Sequence, residues 1–80
     1  MTTRECVADR IVELCAQRNM TINALIRSSA LPPSTVKNIV NGVSRNPGIV
    51  TLKMICDGLD ISLAEFFDTE AFRSLEQEIR

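Results

Sequence analysis

The sequence predicts an all-α fold: a five-helix domain with a further, sixth helix at the C-terminus. Apolar residues recur at helical spacing from one end of the chain to the other. No stretch shows the sustained alternation of a β-strand. Residues that start or stop helices fall between the periodic segments, with Thr2, Thr21 and Ser62 as N-caps and Asn19 and Gly42 as stops.

The first helix covers roughly residues 3–18. Val7, Ile11, Leu14 and Cys15 fall on one face, and Thr2 with Glu5 has the spacing of a capping box. A short second helix follows the cap at Thr21, carries Leu25 inward and runs to about Ser29. Leu31-Pro32-Pro33 ends it, because the residue before a proline is driven out of the helical region. Pro33 suits the first position of a third helix, where a missing N–H has no partner to lose. That helix runs to Asn41 with Val36, Ile39 and Val40 as its apolar positions, and Gly42 stops it. Residues 43–48 form a loop. A fourth helix spans about Ile49–Gly58 with Ile49, Leu52, Ile55 and Cys56 inward. Ser62-Leu63-Ala64-Glu65 is a second capping box, opening a helix that buries Phe66 or Phe67. The last segment, Thr69–Ile79, places Phe72, Leu75 and Ile79 on one helical stripe.

Eighty residues make one small domain, and the net charge of −1 hides a polarised molecule. Between Leu14 and Cys56 there is no acid, while Arg18, Arg27, Lys37, Arg45 and Lys53 fall inside that window. Three acids precede it and seven follow it. A positive middle rich in Ser, Thr and Asn is the footprint of a surface that meets phosphate. Other classes are disfavoured. The longest apolar runs, such as Leu14-Cys15-Ala16 and Met54-Ile55-Cys56, are too short to cross a membrane, and the start lacks the apolar stretch of a signal peptide. With no histidine and no Cys-x-x-Cys pair, a zinc site would need an unusual ligand set and the usual general base is absent, so no metal, no cofactor and no enzyme are expected. Cys6, Cys15 and Cys56 read as small buried apolar residues of a cytoplasmic protein.

Thr21–Ser29, the turn from Ala30 to Pro32, and Pro33–Asn41 have the layout of a helix-turn-helix, whose second helix lies in the major groove of DNA. Leu25, Leu31, Val36 and Ile39 supply an inner face that fixes the angle between the helices. Ser34, Thr35, Lys37 and Asn38, with Asn41 a turn later, supply an outer face of hydrogen-bonding side chains without negative charge. Ser34 and Thr35 have a structural alternative as first-turn residues that cap their own helix.

From Ile11 to Asp68 the chain resembles the lambda-repressor-like Cro/CI (XRE-type) DNA-binding domain family. The resemblance rests on Met20-Thr-Ile-Asn-Ala-Leu25, Ser34-Thr-Val-Lys-Asn-Ile39, Asn41-Gly42, Asn46-Pro47, Thr51-Leu-Lys-Met-Ile-Cys56 and Ile61-Ser-Leu-Ala-Glu-Phe-Phe-Asp68, in that order and spacing. Members are mostly bacterial and phage transcription regulators that bind DNA as dimers. The resemblance implies that Thr21, Ile22 and Asn23 turn backbone amides toward a phosphate. It implies that Pro33, Ser34, Thr35, Lys37 and Asn38 read bases, and that Asn41, Ser44, Arg45 and Asn46 meet the backbone and the groove edge. The chain departs from the pattern at several points. Ile22 stands where a phosphate-clamping Gln is common, Pro32 where a Ser or Thr cap is common, and Pro33 where a Gln often reads a base. Ile26 and Ala30 replace smaller residues of the helix-turn-helix seam, which implies a shifted packing angle.

The expectation is therefore a domain at 1–68 followed by a C-terminal helix at 69–80 that packs back or dimerises through Phe72, Leu75 and Ile79. The function expected is binding of double-stranded DNA at a pseudo-palindromic operator by a homodimeric regulator, a repressor in type. The alternative is a protein-interaction or antitoxin-like module on the same fold, its acidic last third suited to a basic partner.

Overall fold

Thr2 and Glu5 open the first helix as their spacing predicts: the Glu5 amide donates to Thr2 Oγ1 at 3.3 Å. The Thr2 hydroxyl in turn donates to the Glu5 carboxylate at 2.9 Å. The computed structural model describes residues 1–79, and it contains α1 (Thr3–Gln17), α2 (Ile22–Ser29), α3 (Pro33–Val40), α4 (Ile49–Leu59), α5 (Leu63–Phe67) and α6 (Glu70–Arg73). No strand occurs among the described residues. Asn19 ends α1 with φ 52°, a left-handed position that its short polar side chain tolerates. Thr21 caps α2 by accepting from the Ala24 amide at 3.0 Å, and Ser62 caps α5 by accepting from Glu65 at 3.0 Å.

The core is one cluster joining all of the first five helices. Val7, Ile11, Leu14 and Cys15 of α1 meet Leu25 and Ile26 of α2, Val36 and Ile39 of α3, Leu52, Ile55, Cys56 and Leu59 of α4, and Phe66 of α5. Gly58, the expected last residue of the fourth helix, lies inside α4 and belongs to this packing. A Cβ there would lie 2.9 Å from Ser28 Oγ and 3.0 Å from the Ser29 amide nitrogen, so glycine lets α4 approach the end of α2. Asp60, with φ 59°, ends α4 instead. Ile49 also departs from expectation. It begins α4 but is 59% exposed, because the first turn projects beyond the core that Leu52 enters.

Two arginines tie helix ends to α1. Arg10 Nε donates to the Phe66 carbonyl at 2.8 Å and its Nη2 to the Glu65 carbonyl at 3.0 Å, while Nη1 pairs with Glu13. Arg18 Nε donates to the Leu59 carbonyl at 3.0 Å, so this cation closes the end of α4.

The C-terminal segment corrects the sequence reading most. The helix that periodicity extends over Thr69–Ile79 stops after Arg73. Phe72 packs onto Phe66 and Phe67, with ring centroids 6.0 and 4.9 Å away, which anchors α6 to the domain. From Leu75 to Ile79 the chain is non-helical, Leu75 half-buried and Ile79 86% exposed; Arg80, the last residue of the expected helix, lies outside the described residues. Phe72, Leu75 and Ile79 therefore do not form one helical stripe.

Candidate nucleic-acid interface

Recognition by a short helix requires that its outer face be fixed by its inner one. In α3, Val36 and Ile39 are both buried, and Val40 packs against the core from the same side. That leaves Pro33, Ser34, Lys37, Asn38 and Asn41 exposed and Thr35 half-exposed. The turn before α3 is held by Ala30 in the left-handed region, φ 58°, and by Pro32, whose carbonyl accepts from the Thr35 amide at 3.0 Å. Ala30 is exposed, so its departure from the family pattern acts on the backbone and not on the packing of the seam; Ile26 is buried in the core. Pro32 gives α3 no side-chain cap, as its chemistry requires. At the other end Gly42, with φ 74°, turns the chain, and the amides of Val43 and Ser44 both donate to the Asn38 carbonyl at 2.9 and 3.0 Å.

The sequence-derived site residues sort into three places. Thr35, Asn38, Ser44 and Asn46 come together around one open groove of about 430 Å³ beside α3, where Val43 and Thr51 join them. Pro33, Ser34, Lys37 and Asn41 lie on or just past α3 outside that groove. Thr21, Ile22 and Asn23 stand at the start of α2. There the Thr21 hydroxyl accepts from the Ala24 amide, Asn23 is exposed and Ile22 packs against the core, while no hydrogen bond among the described residues engages the backbone amides of Ile22 and Asn23, which leaves both to an anion. Arg45 does not share the groove with its neighbours Ser44 and Asn46. Its side chain lines a separate pocket with Thr2, Thr3, Arg4 and Glu78. Sequence reasoning missed Thr51 and Arg4. Thr51 is the third residue of α4, just past the loop, and Arg4 lies outside the acid-free window, so neither carried a local signal.

Charge is sorted in the same way. Among the described residues, Lys53 pairs with Asp57, Arg73 with Asp68 and Glu70, and Arg10 with Glu13. Arg4, Arg27, Lys37 and Arg45 have no ion-pair partner among them. Nor does any hydrogen bond among the described residues engage the side chains of Ser34, Thr35, Lys37, Asn38, Asn41 or Asn46. Ser34 and Thr35 thus do not cap their own helix with their hydroxyls. The three phenylalanines cluster with one another, away from the groove lining.

Cys6, Cys15 and Cys56 are free and buried, and burial pushes all three thiols above their ordinary range. Among the described residues no cluster of His, Cys, Asp or Glu is arranged to hold a metal, and no helix is long and apolar enough to cross a membrane.

Comparison with known proteins agrees with this geometry. The crystal structure of the prophage Lp1 protein 11 superposes with a TM-score of 0.81 at 36% sequence identity, covering 94% of this chain and 100% of that one. No curated protein matches the chain. The model of the Cro/C1-type HTH DNA-binding domain matches residues 10–71, from the Arg10 that closes α5 to the first residues of α6. With that match spanning all of α2 to α5, the chain belongs to the Cro/C1-type helix-turn-helix DNA-binding domain family, a fold that supports DNA binding by a small regulator.

Proposed function

We propose that this protein is a homodimeric transcriptional repressor that binds a pseudo-palindromic operator, with α3 in the major groove. The observation that carries the reading is the unengaged outer face of α3: Ser34, Lys37, Asn38 and Asn41 are exposed, polar and free of acidic neighbours in sequence. Hydrogen-bonding groups in that state match the donor and acceptor pattern of base edges and phosphates. Thr35, Asn38, Ser44 and Asn46 around the adjoining groove extend the contact from bases to the backbone. The Ile22 and Asn23 amides at the start of α2 add a second backbone contact. Pro33 offers a thymine methyl an apolar surface and no bidentate pair, so discrimination rests on Lys37 and Asn38.

A dimer is supported by apolar side chains left uncovered. With Phe72 consumed by the domain's own aromatic cluster, Ile79 in the tail and Val43, Ile49 and Val50 beside the groove remain exposed. Two copies would place their recognition helices about 34 Å apart, or a multiple of that, on one face of the duplex.

The test is selection of bound duplexes from a random library at two salt concentrations. An enriched inverted repeat, with retention that falls steeply with salt, is the expected result. Lack of enrichment, with no salt-dependent retention, would overturn the reading in favour of a protein-interaction module.

A further inference from the structure

Arg4 and Arg45 are far apart in sequence, yet they line one pocket of about 290 Å³ at the start of α1. Thr2 and Thr3 complete its polar wall. Neither arginine has an ion-pair partner among the described residues. An anionic side chain does enter the pocket, and it comes from the opposite end of the chain. Glu78 lines it, and its Oε1 accepts a hydrogen bond from the Thr3 hydroxyl at 2.7 Å. The adjacent tail is held by charge as well, with the Met1 ammonium 4.0 Å from the Glu76 carboxylate. Glu76, Gln77 and Glu78 are all exposed, so the tail lies on the surface through its carboxylates and not through buried area.

The pocket adjoins the recognition groove through the chain itself. Ser44 and Asn46 line that groove, and Arg45 between them turns the other way. Groove and pocket thus share the wall formed by residues 44–46, which puts the pocket at the edge of the surface a duplex would cover. Two guanidinium groups and a hydroxyl donor suit a phosphate, which accepts from all of them at once.

Resting on the DNA-binding reading above, we propose that Arg4 and Arg45 form a seat for a DNA backbone phosphate at the edge of the groove. In the free protein Glu78 lines that seat and holds its Thr3 hydroxyl, so its carboxylate stands where the phosphate would enter and the acidic tail competes with DNA. Binding then requires exchange of one carboxylate for one phosphate, and the tail sets how tightly the domain holds DNA at a given salt concentration.

The experiment is fluorescence anisotropy of the full chain with a labelled random-sequence duplex pool at low and moderate salt. The proteins compared are wild type, Glu78→Gln, Arg4→Ala, the Arg4→Ala/Glu78→Gln double variant and Lys37→Ala, each checked for helical content by circular dichroism. Glu78→Gln keeps an acceptor for Thr3 and loses the charge. It is expected to bind about threefold more tightly at low salt, a gain that shrinks as salt rises. Arg4→Ala is expected to weaken binding by about threefold to tenfold and to lower the salt slope by about one. In the double variant the gain from Glu78→Gln should vanish. If Glu78→Gln or Arg4→Ala binds as wild type does while Lys37→Ala binds more weakly, the seat is wrong and the DNA-binding reading stands. If no protein retains the pool at low salt, both are overturned.

Discussion

The guanidinium of Arg10 reaches from α1 to the end of α5, where Nε donates to the Phe66 carbonyl at 2.8 Å. A second nitrogen donates to the Glu65 carbonyl at 3.0 Å. The two residues thereby join the outermost helix of the match to the first helix, directly beneath the aromatic cluster of Phe66, Phe67 and Phe72. The planar guanidinium fork satisfies both carbonyls at once, with donors already set at the angle they need. Arg10→Ala is expected to destabilise the fold by about 2 kcal/mol, the range for hydrogen bonds to a charged group. Arg10→Lys should recover less than half of that. Urea denaturation followed at a helical signal measures both, and equal stability of Arg10→Lys and wild type would mean that charge alone matters there.

Gly58 yields a prediction that helix propensity gets wrong. In a helix interior Gly→Ala ordinarily gains up to about 1 kcal/mol. Here the added methyl would meet the Ser28 carbonyl carbon at 3.2 Å and the Ser29 nitrogen at 3.0 Å, and backbone cannot swing aside as a side chain can. Gly58→Ala is expected to cost about 1–3 kcal/mol through forced separation of α2 and α4. Thermal unfolding of the pair decides the sign.

These two positions mark where the sequence was legible and where it was not. Thr2, Thr21 and Ser62 announce their helices because a cap is a contact over three residues, and such contacts are written in local spacing. The buried faces of α1 and α3 follow from periodicity for the same reason. The end of α6 does not, since what holds Phe72 is Phe66 and Phe67, and what holds the tail is Thr3 and the amino terminus. Periodicity over Phe72, Leu75 and Ile79 was real as a pattern, but the helix under it ends at Arg73 and carries only Phe72. At the candidate site, the spacing found the exposed side chains of α3. It could not separate Arg45 from Ser44 and Asn46, because which side of a loop a residue faces depends on what packs beneath it. Arg10 and Arg18 bind backbone carbonyls, and no residue type in the sequence reports the position of a carbonyl.

Ala30 carries strain that a single substitution removes. It sits at φ 58°, ψ 24°, where an L side chain costs roughly 1–2 kcal/mol. Because the residue is exposed, its methyl makes no compensating burial. Ala30→Gly relieves the strain but adds freedom to the unfolded chain, worth about 0.5–1 kcal/mol in the opposite sense. The net expectation is a gain of roughly 0.5 kcal/mol, read as a higher urea midpoint with an unchanged slope. A loss of stability would show that the turn holds Ala30 without strain.

The thiols predict how stability responds to alkali. Burial raises the pKa of Cys6, Cys15 and Cys56 in the folded state, with Asp9 adding to the effect at Cys6. In the unfolded chain the same groups return to about 8.5. Below that pH both states hold the protons and the contribution is complete. Above it the unfolded chain loses protons first, so it binds fewer than the folded one and stability declines as pH rises. The urea midpoint should therefore fall between pH 8 and pH 10, and less so in a Cys56→Ala variant, whose lower starting stability sets its own baseline. An alkaline response unaltered by that change would assign the effect to other groups.

Lys37 and Asn38 are adjacent on the outer face of α3, but they should fail differently when removed. Lys37 is exposed and unpaired among the described residues, so its charge is available either to a phosphate or to a guanine edge. Asn38 lines the groove with Thr35, and its carboxamide can pair bidentately with adenine. Each loss is expected to weaken binding to the selected operator by about 1–3 kcal/mol where a base is read. Salt separates the two roles. If Lys37 holds a phosphate, Lys37→Ala weakens binding to all duplexes alike and lowers the salt slope by about one. Asn38→Ala should leave the slope unchanged and relax preference at one base pair. Neither side chain supports the core, since α3 is anchored by Val36 and Ile39, so both variants should unfold at the wild-type urea midpoint. Wild-type affinity in both variants would show that α3 does not read the duplex.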